Sequence, residues 1–310
     1  MKKIRIGSRN SPLALWQAHK VSKALEKDFT TEIIPIYSDG DKNLLTPLYE
    51  MGITGIFTKD LDVALLNDRI DLAVHSLKDV PTVLPKNIKM IACLERDFPE
   101  DVLIRRKEAK NKKFNEMTVA SGSLRRRAFW LKKFPGTKFV DFRGNINTRL
   151  KKISGGYADA ALFSLAGIKR LDLNTEYEYL TFILPAPSQG VITVTGHSKN
   201  TELNGIVKKI GHPPTELCVS LERLFLNALE GGCTAPIGAF AEIKEEKIKF
   251  RGALCSLDGS KAVEINEAFD LNWEENKNKG EELAIKILEN GGKEILEGLK
   301  KTGLPHKTLP

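Results

Sequence analysis

The chain is poor in the residues that build metal and disulfide frameworks. Its 310 residues include four cysteines and five histidines. No C-x-x-C pair occurs and no histidine cluster accompanies the cysteines, so a zinc site is not expected. No apolar run approaches the roughly 20 residues that a membrane-spanning helix needs. The start, Met1-Lys2-Lys3-Ile4-Arg5, is basic, but neither an apolar segment nor a small-residue cleavage site follows it. A cytoplasmic protein with no membrane contact is therefore expected. Hydrophobic residues at 41% and charged residues at 28% exclude disorder and collagen-like structure. The length suits two or three domains.

What the chain does have is positive charge, a formal net of +8, and that charge is local. Between Ser121 and Lys152 there are ten basic residues and one acid, Asp141, so the rest of the chain is close to neutral. A charge run can be a solvated helix face. Arg125, Arg126, Arg143 and Arg149 differ, because they adjoin turn-formers at element starts, Ser121-Gly122-Ser123 and Arg143-Gly144-Asn145. Helix N-termini favour anions there, and guanidinium forks suit carboxylate or phosphate. Phe129, Trp130 and Phe134 fall at helical spacing, which reads as core rather than a base-stacking platform. With no reading helix or zinc finger beside the charge, no nucleic-acid partner is expected and an anionic small molecule is.

Three cysteines have ordinary settings. Cys93 and Cys255 lie in strand patterns and Cys218 lies on an apolar helix stripe, so all three read as buried, inert thiols. Cys233 follows Glu230-Gly231-Gly232, where glycine ends a helix and lets another group approach closely. It is either a functional thiol or an incidental loop cysteine.

Strand patterns at 3–8, 31–38, 71–75, 88–94, 117–120, 138–141, 159–163 and 180–184 alternate with helix patterns at 12–26, 57–66, 124–134 and 146–153. Such alternation predicts α/β architecture with mixed, largely parallel sheets. An internal echo supports a duplication. Asp71-Leu72-Ala73-Val74-His75-Ser76-Leu77 resembles Asp159-Ala160-Ala161-Leu162-Phe163-Ser164-Leu165, and Ile6-Gly7-Ser8-Arg9 resembles Val119-Ala120-Ser121-Gly122. Two periplasmic-binding-protein-like α/β domains would follow, 1–95 with 190–210 and 100–186, with hinges near 96–100 and 184–190. Residues 213–310 change character. A three-stranded antiparallel sheet at 237–242, 247–254 and 262–269 and helices at 280–289 and 292–300 predict a smaller α+β domain.

Several segments, taken together, resemble the porphobilinogen deaminase (hydroxymethylbilane synthase) family. They are Ser8 to Gln17 (Ser8-Arg9-Asn10-Ser11-Pro12), His75-Ser76-Leu77-Lys78-Asp79-Val80-Pro81, Ser123-Leu124-Arg125-Arg126, Arg143-Gly144-Asn145 with Thr148-Arg149, and Glu230-Gly231-Gly232-Cys233. The resemblance implies a transferase that condenses four porphobilinogen molecules with loss of ammonia on a covalent dipyrromethane cofactor. Hydrolysis then releases hydroxymethylbilane. It also implies a monomer whose partners are porphobilinogen and the growing polypyrrole. On the matching positions, Cys233 would carry the cofactor by a thioether and Asp79 would be catalytic. Lys78, Ser123, Arg125 and Arg126 would bind the cofactor, and Arg9, Ser11, Arg143, Arg149 and Arg170 the substrate. Two positions depart from the family pattern: Thr54 stands where a lysine is usual, and Thr193-Val194-Thr195 where Gly-Ile-Glu is usual. A non-catalytic anion-binding clamp of the same architecture is the alternative reading.

Overall fold

The computed structural model describes residues 3–37, 55, 57–229 and 235–301. From the N-terminus come β1 (Lys3–Arg9), α1 (Pro12–Ala24), β2 (Thr30–Ile36), α2 (Lys59–Leu66), β3 (Leu72–Ser76) and β4 (Ile88–Cys93). The chain then crosses to β5 (Asp101–Arg105), β6 (Thr118–Ala120), α3 (Leu124–Lys133), β7 (Lys138–Val140), α4 (Ile146–Ser154), β8 (Ala160–Ser164), α5 (Leu165–Arg170) and β9 (Glu178–Tyr179). It returns through β10 (Ile192–His197), α6 (Thr201–Val207) and α7 (Pro213–Ala228). The remainder is β11 (Ile237–Lys244), β12 (Lys247–Cys255), β13 (Ala262–Asp270), α8 (Trp273–Asn276), α9 (Lys279–Ile287) and α10 (Lys293–Lys300).

Two five-stranded sheets share one topology. The first runs β2-β1-β3-β10-β4 and the second β7-β6-β8-β5-β9. In each, four strands point one way and one, β10 or β5, runs against them. The sequence echo marks equivalent strands, because β3 and β8 hold the same place. Each is preceded by an aspartate with the same job. Asp71 Oδ2 accepts from Arg5 N at 2.8 Å, and Asp159 Oδ2 accepts from Thr118 N at 2.9 Å. Both carboxylates thus satisfy an otherwise open N–H at the start of the neighbouring strand.

The apolar run at 180–184 is not a strand. It forms a turn, Ile183 N–H to Leu180 O, that plugs Leu180 and Ile183 into the second core. The antiparallel member of each sheet, β5 or β10, is absent from the expected strands: β5 carries an unbroken apolar run, Val102-Leu103-Ile104, with no alternation, whereas β10 does alternate over Ile192-Thr193-Val194-Thr195. Phe129 and Trp130 are core residues, as their spacing predicts. Trp130 is fully buried against Phe114, Phe134, Phe139 and Phe182.

Two chain segments, 94–100 and 184–191, pass between the sheets. They meet at Gly190, whose φ of +87° and approach to the Phe98 carbonyl (2.9 Å from a built Cβ) exclude any side chain. The three-stranded meander β11-β12-β13 packs on α7 and α9 through Leu221, Phe225, Phe250 and Leu283. One buried carboxylate ties this unit to both crossings. Glu222 accepts from Arg96 Nη2 (2.7 Å), Ser188 N (2.6 Å) and Ala241 N (2.7 Å).

Candidate active site

The site is assembled where equivalent elements of the two sheets end. After β1, Ser11 caps α1, its Oγ accepting from Ala14 N at 3.3 Å, with Pro12 at the first helical position. After β6, Ser123 caps α3 in the same way, accepting from Arg126 N at 3.4 Å. Asn145 caps α4 through Thr148 N at 2.9 Å. After β3 the chain turns through a single 3₁₀ turn, Leu77–Asp79, which presents Lys78 and Asp79.

These residues form one charged cluster. Lys78 senses Asp79, Asp101, Arg125 and Arg126, and Arg149 senses Arg126, Arg143 and Asp79. Burial, reinforced by Arg126, pushes the Lys78 ammonium down to about 8. Burial and then Arg126 and Arg143 push the Arg149 guanidinium down to about 10, with Asp79 opposing. Five cations therefore face two carboxylates, Asp79 and Asp101. Arg9 flanks them, stacked over the Phe57 ring at 4.0 Å and close enough to His75 to disfavour its protonation.

The cationic segment divides by its partners. Arg125 and Arg126 both pair with Asp101, at 2.7 and 2.8 Å. Arg126 also donates to the Leu162 carbonyl, and Arg125 to that of Leu184. Burial raises the Asp101 carboxyl, but the two guanidiniums outweigh it and hold the group below the usual carboxylate range. Arg127 is spent on the Ser121 and Val140 carbonyls and Asp141. Arg149 is different. Its guanidinium lies over Phe142 at 5.4 Å, and its Nε is buried with no hydrogen-bond acceptor among the described residues.

The predicted residues do not all converge. Arg170 is buried and clasps the crossings, with two 2.9 Å bonds to the Asp97 carboxylate and one of 2.8 Å to the Gly190 carbonyl. It also lies over Trp16 of α1 at 5.9 Å. Cys233 and Thr54 lie outside the described residues. Thr195 is buried, with Oγ1 3.2 Å from His75 Nε2. Cys93, Cys218 and Cys255 are buried thiols, and burial pushes them up to about 11, 12 and 11. Sequence reasoning missed Asp101 and Gln189. Nothing distinguishes an aspartate at a strand start, and Gln189 falls within the expected hinge at 184–190 with no role of its own.

An arginine with an unmet buried donor, crowded by other cations, fits a ligand bearing several carboxylates. Comparison with known proteins decides which ligand. Residues 4–205 match the family model described as the porphobilinogen deaminase dipyromethane cofactor binding domain, and residues 216–289 match the porphobilinogen deaminase C-terminal domain. The chain belongs to the porphobilinogen deaminase family. The porphobilinogen deaminase of Carboxydothermus hydrogenoformans is 38% identical over 310 residues, covering 97% of this chain and 98% of the relative. A probable porphobilinogen deaminase of Methanocaldococcus jannaschii is 43% identical over 82% of this chain and 89% of its own. The chloroplastic porphobilinogen deaminase of rice is 40% identical, over 91% and 84%. Among solved structures, an ancestral cationic amino acid solute binding protein has a TM-score of 0.43 at 16% identity, covering 67% of this chain and 87% of that one. For a porphobilinogen deaminase, the cationic cleft has a chemical purpose. Every pyrrole ring brings two carboxylates, so the bound ligand grows more anionic as it lengthens.

Proposed function

We propose that this chain is a transferase that joins four porphobilinogen molecules head to tail, releases ammonia at each step, and frees hydroxymethylbilane by hydrolysis. The observation that carries this reading is the convergence of Asp79 with Lys78 and the partly unsatisfied Arg149 in one half-buried cluster. Dipyrromethane, attached through Cys233, would supply a terminal pyrrole whose free α-carbon is the nucleophile. Lys78, Ser123, Arg125 and Arg126 would hold its carboxylates, and the capped N-terminus of α3 adds a favourable field for anions.

Arg9, Ser11, Arg143 and Arg149 would hold the acetate and propionate groups of the incoming porphobilinogen. Loss of ammonia from that substrate leaves positive charge shared with its pyrrole nitrogen. Asp79 would stabilise this charge electrostatically and accept the proton released when the new carbon–carbon bond forms. Arg170, bonded to Asp97 and Gly190, would act on substrate through the crossings rather than by direct contact. The domain limits 1–95 with 190–210, 100–186 and 213–310 are supported by the three separate sheets, although Ala253 and Cys255 of β12 also pack into the core of the second sheet. We read the enzyme as a cytoplasmic monomer serving haem and porphyrin synthesis.

Intact mass tests the proposal. The purified active protein should exceed its sequence mass by two pyrrole units, and Cys233→Ser should remove the excess. An unmodified mass in active protein would overturn the covalent assignment.

A further inference from the structure

Gln189 is wholly buried on the second crossing. Its Oε1 accepts from Lys78 Nζ at 3.1 Å, while its Nε2 donates to the Pro99 carbonyl at 2.6 Å and to Asp101 Oδ1 at 3.1 Å. Lys78 follows β3 in the first sheet, Pro99 lies on the first crossing, and Asp101 opens β5 in the second sheet. One carboxamide thus joins both crossings and both halves of the cleft. Only one orientation serves. Turned over, its NH₂ would face the ammonium, and its oxygen would face a carboxylate and a carbonyl.

We propose that Gln189 is a positioning residue that fixes Lys78 relative to the Asp101–Arg125–Arg126 cluster, and so sets the separation of the two cationic faces that grip a multi-carboxylate ligand. The ligand half of this proposal rests on reading Lys78, Arg125 and Arg126 as groups that hold such a ligand. The Lys78 ammonium is faced by Asp79 on its own turn, by Asp101 on β5, and by Arg125 and Arg126 on α3. Two guanidiniums oppose its charge and burial weakens it further. The amide oxygen is the neutral acceptor that keeps the ammonium protonated and aimed. Asp101 in turn carries both guanidiniums, Arg126 on the same Oδ1 and Arg125 on Oδ2, so a shift at Gln189 reaches both through one carboxylate.

Two variants of the holoenzyme test this, with thermal melting and intact mass as controls. Gln189→Met keeps the volume and removes the hydrogen bonds; Gln189→Glu keeps the acceptor, charges it and loses the donor. The primary readout is the pH midpoint for acylation of Lys78 by a small amine-reactive ester, followed by peptide mass spectrometry. Gln189→Met should lower that midpoint by about one pH unit and raise the KM for porphobilinogen about tenfold. Gln189→Glu should move the midpoint upward. Opposite signs cannot come from general loosening. A midpoint unchanged in both variants would overturn the positioning role, as would a wild-type KM in a folded, loaded Gln189→Met enzyme whose midpoint has moved. Lys78→Met separates this from the reading beneath it. If that variant retains cofactor mass and wild-type KM, Lys78 does not hold ligand, and the ligand half of the proposal falls whatever the Gln189 variants show.

Discussion

Replacing Asp101 with asparagine would remove the one carboxylate that carries two buried guanidiniums. Asp101 is 1% exposed, and it meets Arg126 through Nε at 2.9 Å and Nη2 at 2.8 Å, Arg125 through Nη2 at 2.7 Å, and Gln189 at 3.1 Å. Arg125 and Arg126 are themselves only 6% and 8% exposed, so neither can turn to water for compensation. Breaking a buried pair from one side typically costs about 3–5 kcal/mol, because the remaining charge is stranded. Two stranded cations put Asp101→Asn at or above the upper end, about 5 kcal/mol, or roughly 20–40 °C in the melting of the 100–186 unit that contains it. Calorimetry with urea unfolding as a second probe would measure the loss. The pH dependence supplies the sign. The folded carboxyl lies below its unfolded value of about 3.9. Its contribution is therefore complete above the unfolded value and disappears as the pH falls through the lower folded one. Wild type should lose this stability only in strong acid, and the variant should have none to lose there. A cost under about 1 kcal/mol at neutral pH would refute the view that Asp101 anchors the cationic face.

Asp79→Asn should retain the two-pyrrole mass yet lower kcat by about 10²–10⁴, the usual range for a lost acid–base group; unchanged turnover would remove Asp79 from the chemistry. His75 is 5% exposed, and burial, assisted by Arg9, pushes it down to about 4 from 6.5. Its depressed value favours the fold fully above pH 6.5, and that advantage should drain away as the pH falls toward 4, by about 3 kcal/mol in all. His75→Phe should flatten that part of the stability–pH curve, and a curve still parallel to wild type would count against it. Cys93, Cys218 and Cys255, all raised to about 11 or 12 by burial, should resist alkylation at pH 8 in the native protein and react once it is unfolded.

The legible parts of the fold were those with a local signature. Ser11 before Pro12 has the pattern of a capped helix start and caps α1; Ser123, at the turn before an expected helix, caps α3 in the same way. The Asp71 and Asp159 echoes marked equivalent strands, because each aspartate closes the same backbone gap. β5 was illegible, since its apolar run Val102-Leu103-Ile104 carries no period to detect, whereas the alternation of β10 over Ile192-Thr193-Val194-Thr195 was there to be read. Within the site, composition located the positive charge but could not divide it. Arg125 and Arg126 look alike in sequence to Arg143 and Arg149. Only the long-range approach of Asp101 marks Arg125 and Arg126 as its partners. The setting of Arg170 was illegible for the same reason, as Asp97 and Gly190 reach it from far along the chain.

The duplicated topology explains where the chemistry can sit. Ser76-Leu77 at the end of β3 corresponds to Ser164-Leu165 at the end of β8, but the next two positions are Lys78 and Asp79 in one half and Ala166 and Gly167 in the other. In the second half a matching aspartate would have to displace the Ile146 side chain, whose Cδ1 lies 2.4 Å from a Cβ built at Gly167. The helix caps repeat this asymmetry in reverse. The N–H groups bonded by Ser11 and Ser123 belong to Ala14 and Arg126, so the guanidinium occupies the place of a methyl group. The common scaffold thus brings two capped helix starts together, and the two halves differ in the charges they add. Lys78 and Asp79 come with the turn after β3, and the guanidiniums held by Asp101 come with α3. A single charged cluster follows from two similar halves, because each supplies a part of it that the other lacks.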